Sequence, residues 1–169
     1  MYRRAPVVSS LLIAATLACC EGLTPPSEPP PVGTMAGVIT YSNWDSAGAL
    51  HDLRLVGFRS FPPTNLRDEV LAGRVFIYPP LPALTDTTHL PYYVDSTGYT
   101  AQILAGTWQY IVVAQQFGPV RLEDWRPVGQ YDLDTNLVVP SPITIMANET
   151  TWNVNIHVDF ANLPPSPLR

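Results

Sequence analysis

The sequence predicts an all-β protein: a single β-sandwich of seven or eight strands with at most one short helix. Three observations predict it. Stretches between residues 34 and 160 alternate apolar and polar residues at period two, which marks strands with unequal faces. Prolines and glycines interrupt these stretches at short intervals, as turns between strands require. One segment alone, between residues 64 and 73, has the caps and acidic first turns of a helix. Patterning does not encode strand connectivity, and a small barrel is the alternative closure.

The elements follow in order. Met35 to Tyr41 reads as the first strand, ended by Ser42-Asn43 and the turn-prone Asp45 to Gly48. In Leu50 to Phe58, Leu53, Leu55 and Gly57 alternate with Asp52, Arg54, Val56 and Phe58. Both sides become apolar towards Phe58, so the pattern leaves the core face there unassigned. Pro62-Pro63 stops this strand, because proline cannot donate to the ladder. Thr64 or Asn65 would cap a helix that Gly73 ends. At two turns or fewer, such a helix needs tertiary contact to hold it. Val75 to Tyr78 is a short strand closed by Pro79-Pro80, and Tyr92 to Val94 and Tyr99 to Ile103 read as two more. After a turn at Leu104-Ala105-Gly106, Thr107 to Gln116 is the central strand. Its Trp108, Tyr110, Val112 and Ala114 form the expected continuous core face, with Gln109, Ile111, Val113 and Gln115 on a partly covered reverse. Val128 to Tyr131, Ile143 to Met146 and Trp152 to Phe160 complete the set. In the last, Trp152, Val154, Ile156, Val158 and Phe160 are expected inside, with Asn153, Asn155, His157 and Asp159 in water.

Ahead of the strands, Arg3 and Arg4 precede Ala5 to Ala18, fourteen residues without a charge. A basic start followed by an apolar run of this length is a secretory signal pattern, and it falls short of the roughly 20 apolar residues a membrane helix needs. Both cysteines stand at its end, in Thr16-Leu17-Ala18-Cys19 and then Cys20, just before a run of prolines. This segment resembles a bacterial lipoprotein signal peptide. The resemblance implies lipidation of Cys19, with Cys20 as the alternative; an unmodified secreted protein is the competing reading. Acyl chains on that cysteine would attach the chain firmly to a lipid bilayer, whereas one chain alone binds marginally. Neither Cys20 nor Glu21 is the aspartate that retains some bacterial lipoproteins at the inner membrane. By the same resemblance, the expected location is the outer membrane, facing the periplasm or the exterior.

The expected organisation is a signal peptide over 1–18, a lipidated cysteine and Pro-rich tether over 19–33, the sandwich over 34–160 and a flexible tail over 161–169. Residues 21 to 33 hold five prolines, a semi-extended polyproline spacer reaching about 3 Å per residue. The chain has nine arginines, no lysine and fourteen acidic residues. Two arginines leave with the leader, so the mature chain would carry seven against fourteen, a charge of −7. That balance excludes nucleic acid as a partner, since no positive footprint is present. With no cysteine beyond the leader's end, the sandwich must stand without disulfides.

Several short motifs carry a second resemblance. Gly37-Val38-Ile39-Thr40, Leu53-Arg54-Leu55-Val56, Leu104 to Val112, Ile143-Thr144-Ile145 and Thr150 to Ile156 are similar to those of carboxypeptidase regulatory-like domains. The resemblance spans residues 34 to 160 and implies an Ig-like or transthyretin-like sandwich that serves as an accessory domain of envelope proteins. It brings no catalytic residues. Two departures stand out: Trp108 replaces the usual tyrosine, and the 61–98 region is longer and richer in proline than the minimal module.

No reaction centre assembles from the polar residues, so neither an enzyme nor a cofactor is expected. His51, His89 and His157 fall on separate elements, whereas a metal site needs converging ligands. His157 and Asp159 share one strand face, which more simply is a solvated face. Asp132, Asp134 and Asn136 stand at alternate positions, as the first ligands of a calcium loop do. The glycine and terminal glutamate of an EF-hand are missing, and an acidic turn bonding its own backbone is the plain reading. Trp44, Tyr92, Trp125 and Arg126 fall in or near loops, with Arg121, Glu123 and Asp124 beside the latter pair. Rim aromatics can stack on a sugar or anchor a protein, and equally can cover the open end of a sandwich. The expected function is a membrane-anchored structural or protein-interaction module with an envelope protein as partner; the alternative is a lipoprotein binding a carbohydrate or small ligand through its loop aromatics.

Overall fold

The computed structural model describes residues 28–44, 50–63, 66–80, 88–119, 124–134 and 137–167. Two sheets face each other across one core. The first has β1 (Val32–Ser42) at its centre, with β4 (Ser96–Leu104) antiparallel on one edge. On its other edge, β9 (Thr150–Thr151) and then β10 (Ile156–Asp159) run parallel to it. The second sheet has the order β3 (Phe76–Tyr78), β2 (Asp52–Phe58), β6 (Tyr110–Gln116) and β7 (Trp125–Gln130), antiparallel throughout. A two-stranded ribbon of β5 (Gly106–Trp108) and β8 (Ile143–Ile145) closes one end. The expected all-β sandwich with one short helix, α1 (Leu66–Leu71), is what the chain forms.

The core follows from period-two alternation where alternation is unbroken. Met35, Ile39 and Tyr41 of β1 and Tyr99, Ala101 and Ile103 of β4 point inward. They meet Leu53 and Leu55 of β2, Ile111 and Val113 of β6, and Val128 of β7. Each fully buried aliphatic side chain contributes about 1.5–3 kcal/mol relative to exposure, and these residues come from every part of the sandwich. Packing against the core continues past Phe160, since Leu163 lies against it and Pro164 is buried.

The expected central strand is two strands. The chain bends at Gln109, so β5 pairs with β8 while β6 pairs with β2 and β7. The bend inverts the alternation. Trp108 belongs to the main core together with Ile111 and Val113, whereas Tyr110 and Val112 point to the opposite side. The expected face of Trp108, Tyr110, Val112 and Ala114 is therefore divided between two layers. Tyr110 and Val112 form a second apolar layer with Val56 and Phe58, covered by Phe61, Val75 and Ile77. The long proline-rich excursion after β2 thus supplies the cover for the outer face of the second sheet.

Arg54 fastens part of that cover. It is 2% exposed, and its Nε donates to Asp52 Oδ2 at 2.9 Å and to Oδ1 at 3.1 Å. Its Nη1 donates to the carbonyls of Pro79 and Pro80 at 2.8 and 2.9 Å. A buried guanidinium is stable only when paired and fully hydrogen-bonded. Here the partners join the start of β2 to the end of β3. Within α1, Asp68 and Glu69 sit in the first turn, where negative charge suits the helix dipole. Arg74 returns to Glu69 at 3.0 Å.

Two further expectations are corrected. Tyr92 to Val94 forms bends rather than a strand, and Tyr93 has a φ of 56°. The last segment is not continuous either: residues 152–155 leave regular pairing, and Asn153 has a φ of 62°. That left-handed residue turns Trp152 outward, 68% exposed, while Val154, Ile156 and Val158 stay inside. Gly37 permits the crossing, because a Cβ there would collide with the carbonyl of Val154. The predicted helix caps Thr64 and Asn65 and most of the turn after β1 lie outside the described residues.

Two predictions follow from the buried polar groups. Arg54→Ala leaves the Asp52 carboxylate without its counter-charge and removes a donor from the Pro79 and Pro80 carbonyls, and should cost about 3 kcal/mol in denaturant unfolding. The buried tyrosines should divide. Tyr99 Oη donates to the Val154 carbonyl at 2.6 Å, so Tyr99→Phe should destabilise by about 1 kcal/mol. Tyr110 Oη is buried with no partner among the described residues, so Tyr110→Phe should leave the unfolding midpoint unchanged or raise it.

Candidate functional site

The parallel pairing of β1 with β10 sets Thr40 beside His157 and Ser42 beside Asp159, although the chain separates each pair by more than a hundred residues. Thr40 Oγ1 lies 3.0 Å from His157 Nδ1, and Ser42 Oγ lies 3.3 Å from Nε2. Both ring nitrogens are therefore engaged by hydroxyls of β1. Asp159 Oδ1 accepts from Asn43 Nδ2 at 2.8 Å and from the Ala161 N–H at 3.0 Å. Asn155 Oδ1 accepts from the Val38 N–H at 2.9 Å, capping the edge of β1 where regular pairing lapses. The expectation that Asn155, His157 and Asp159 share one outward face holds, and on this face they bond to β1 rather than to water alone.

These residues form one side of an open groove of about 410 Å³. Its other side is the end of β7 and the loop beyond it, with Gln130, Asp132, Asp134 and Leu137. The groove exists because β7 closes onto β10. A Cβ at Gly129 would lie 2.6 Å from the His157 carbonyl and 2.8 Å from Val158 Cγ2, so only glycine lets the strands approach. An isolated bridge between Tyr131 and Ile156 continues the seam. Among the described residues, three carboxylates and one imidazole line the groove, and no arginine does. Such a lining suits hydrogen-bond donors or positive charge and disfavours anions.

Hydrogen bonds from Asn43 first, and then from the Ala161 backbone, hold the Asp159 carboxyl below the usual aspartate range. The sign is that of a depressed acid: its contribution to stability is present above the ordinary aspartate pKa and is lost as pH falls through the folded value. Asp132 is held in place by its neighbours. Its Oδ1 accepts from Ser141 Oγ at 2.8 Å and its Oδ2 from Gln130 Nε2 at 2.9 Å. Both oxygens of the leading calcium candidate are thus used within the fold. Asp134 stands exposed on the groove rim, and Asn136 lies outside the described residues. Among the described residues no group of three or more His, Cys, Asp or Glu side chains could hold a metal ion.

The structure brings Trp44, Tyr92 and Trp125 to one end of the sandwich, the end where β1 finishes and β2 begins. It does not bring them into the groove. Trp44 stacks on Tyr41 at 4.7 Å and on Phe160 at 4.8 Å, and its Nε1 donates to the Val94 carbonyl at 3.0 Å. Tyr92 stacks on His89 at 3.9 Å and donates to the His51 carbonyl at 3.4 Å. Burial, with the charge of Asp52 nearby, pushes the Tyr92 phenol up to about 12. Trp125 is half-buried as the first residue of β7, opposite Gln116. Arg126 donates to Gln115 Oε1 at 3.0 Å, with its guanidinium 5.6 Å over the Phe117 ring. Arg121 and Glu123 lie outside the described residues, as do Cys19 and Cys20. The sequence does not point to Thr40 and Gln130 as groove residues, or to Ser42 as a partner of His157. The clean polar face of residues 153–159 was the available signal, but only the pairing reveals what it faces.

No family model matches the chain, and no curated protein matches it. Among solved structures, a leucine-rich repeat protein from Bacteroides thetaiotaomicron is similar at 11% identity with a TM-score of 0.36. The match covers 78% of this chain and 14% of that one. At that distance it informs neither fold nor function.

The Asp159 environment is testable alone. In Asn43→Ala, the Asp159 carboxyl should titrate at higher pH than in the parent, towards the ordinary aspartate range, when followed by carboxyl carbon chemical shift against pH.

Proposed function

We propose that the chain is a membrane-anchored structural or protein-interaction lipoprotein, acylated at Cys19 or alternatively at Cys20, that displays its sandwich to the periplasm or the exterior. The observation that carries this reading is the order of the chain. A basic start, an apolar run and paired cysteines lead into a proline-rich stretch, and sheet pairing begins at Val32 directly beyond it. The outer membrane is the proposed location, because neither residue after the candidate cysteines supplies the retaining aspartate. The end-cap geometry supports an interaction module over an aromatic sugar platform, since Trp44 and Tyr92 are engaged by their own loops. The carboxypeptidase regulatory-like resemblance agrees with an accessory role of this kind.

One observation favours a second reading, a small-ligand or carbohydrate site. The polar groove between β10 and β7 offers hydroxyl, amide, imidazole and carboxylate groups along one wall. If this reading holds, a glycan would engage that groove rather than the loop aromatics.

Intact mass and detergent-phase partition of the native protein test the first reading, beside a Cys19→Ala, Cys20→Ala double variant. The parent should show a mass excess from acylation and enter the detergent phase, and the variant should do neither. An unmodified parent recovered in the aqueous phase would overturn the anchor.

A further inference from the structure

We infer that β4 is the docking edge for a second copy of this chain, which pairs with it antiparallel about a two-fold axis at Tyr99. β4 is terminal in its sheet. The Tyr41 N–H donates to the Asp95 carbonyl and the Ala105 N–H to the Pro31 carbonyl, each at 2.9 Å. With the register of β1 and β4, these bonds place the odd-numbered backbone groups of β4 towards β1. The even-numbered groups therefore point away from the sheet. The Leu104 carbonyl is taken by the Arg59 guanidinium and by Trp108 Nε1. Among the described residues, no hydrogen bond reaches the outward groups of Ser96, Gly98, Thr100 and Gln102. All four residues are exposed, and a Cβ built on Gly98 meets nothing within 4 Å.

Water-exposed edges of this length are ordinarily blunted by charge, proline or a bulge. β4 has none of these: its nine residues pair with β1 without a bulge, and neither strand holds a charged residue or a proline. The composition of the edge selects the occupant. The chain is acidic overall, with a net charge of −5, so two copies repel across most of their surfaces. This uncharged ribbon is where they can meet without opposing like charges. The edge is also self-complementary. With the axis at Tyr99, Ser96 stands opposite Gln102 of the other copy and Gly98 opposite Thr100, so every free outward group finds a partner. A closed two-fold contact consumes the edge without propagating. The inference does not depend on acylation of the leader.

Sedimentation equilibrium of the full chain in density-matched detergent tests it. The parent should be a dimer in the micromolar range. Gly98→Arg enters open space in the monomer but sets two guanidinium groups beside the axis, and it should weaken the dimer several-fold while leaving the melting temperature of the dilute monomer unchanged. Thr100→Pro removes an outward donor while sparing the ladder to β1, and it should act likewise. A parent that stays monomeric at all concentrations overturns the inference, including one whose edge instead captures an extended segment of another protein. A dimer that both variants leave intact overturns it too.

Discussion

Two strands that are apolar on both sides cannot leave either side in water, and that constraint organises this chain. β2 and β6 bury Leu53, Leu55, Ile111 and Val113 on one face and Val56, Phe58, Tyr110 and Val112 on the other. The opposing sheet covers the first face. Among the described residues no further sheet covers the second, and Phe61 and Val75 of the excursion between β2 and β3 pack against it together with Ile77 of β3. Arg54 follows from the same requirement. A charge on a covered face must be hydrogen-bonded, and its partners are Asp52 and the two carbonyls that end β3.

The candidate groove is a consequence of how the sandwich closes. β1 is saturated on both edges, by β4 on one and by β9 and β10 on the other. Parallel closure by the last strand aligns polar side chains of the two ends of the chain, so Thr40 and Ser42 meet His157. Closure also needs β7 to approach β10 at backbone distance, which Gly129 allows. Asp132, just beyond β7, is pinned beside the seam by Gln130 and Ser141. The groove is thus held by the same contacts that complete the fold.

Much of the fold was legible because alternation survives wherever backbone dihedrals stay extended. β1, β2 and the Ile156 to Val158 segment read correctly for that reason. The failures sit at single residues that invert parity. A bend at Gln109 sends Trp108 and Tyr110 into different layers, and a left-handed Asn153 turns Trp152 out. Neither is encoded in hydrophobic periodicity. A glycine would have advertised a left-handed position, whereas asparagine only permits one. The site was less legible than the fold. The polar face of residues 155–159 was visible, but its neighbours come from strand pairing across the whole chain. Trp44 and Tyr92 were visible as loop aromatics, and the sequence offered no way to see that their partners are Tyr41, Phe160 and His89.

The distribution of charge separates the surfaces of this body. Carboxylates gather along the seam, where Asp132, Asp134 and Asp159 line one groove. The opposite edge of the same sheet has no charge along either β1 or β4. Mutual repulsion between acidic copies disfavours most contacts between them and so preserves solubility, but it falls off within about 8–10 Å at physiological salt. An uncharged ribbon two strands wide is therefore shielded from the repulsion only at its own edge, and contact there requires close, directional backbone pairing. Acidic surface and bare edge act in the same sense: the first rejects loose association, and the second admits a single geometry.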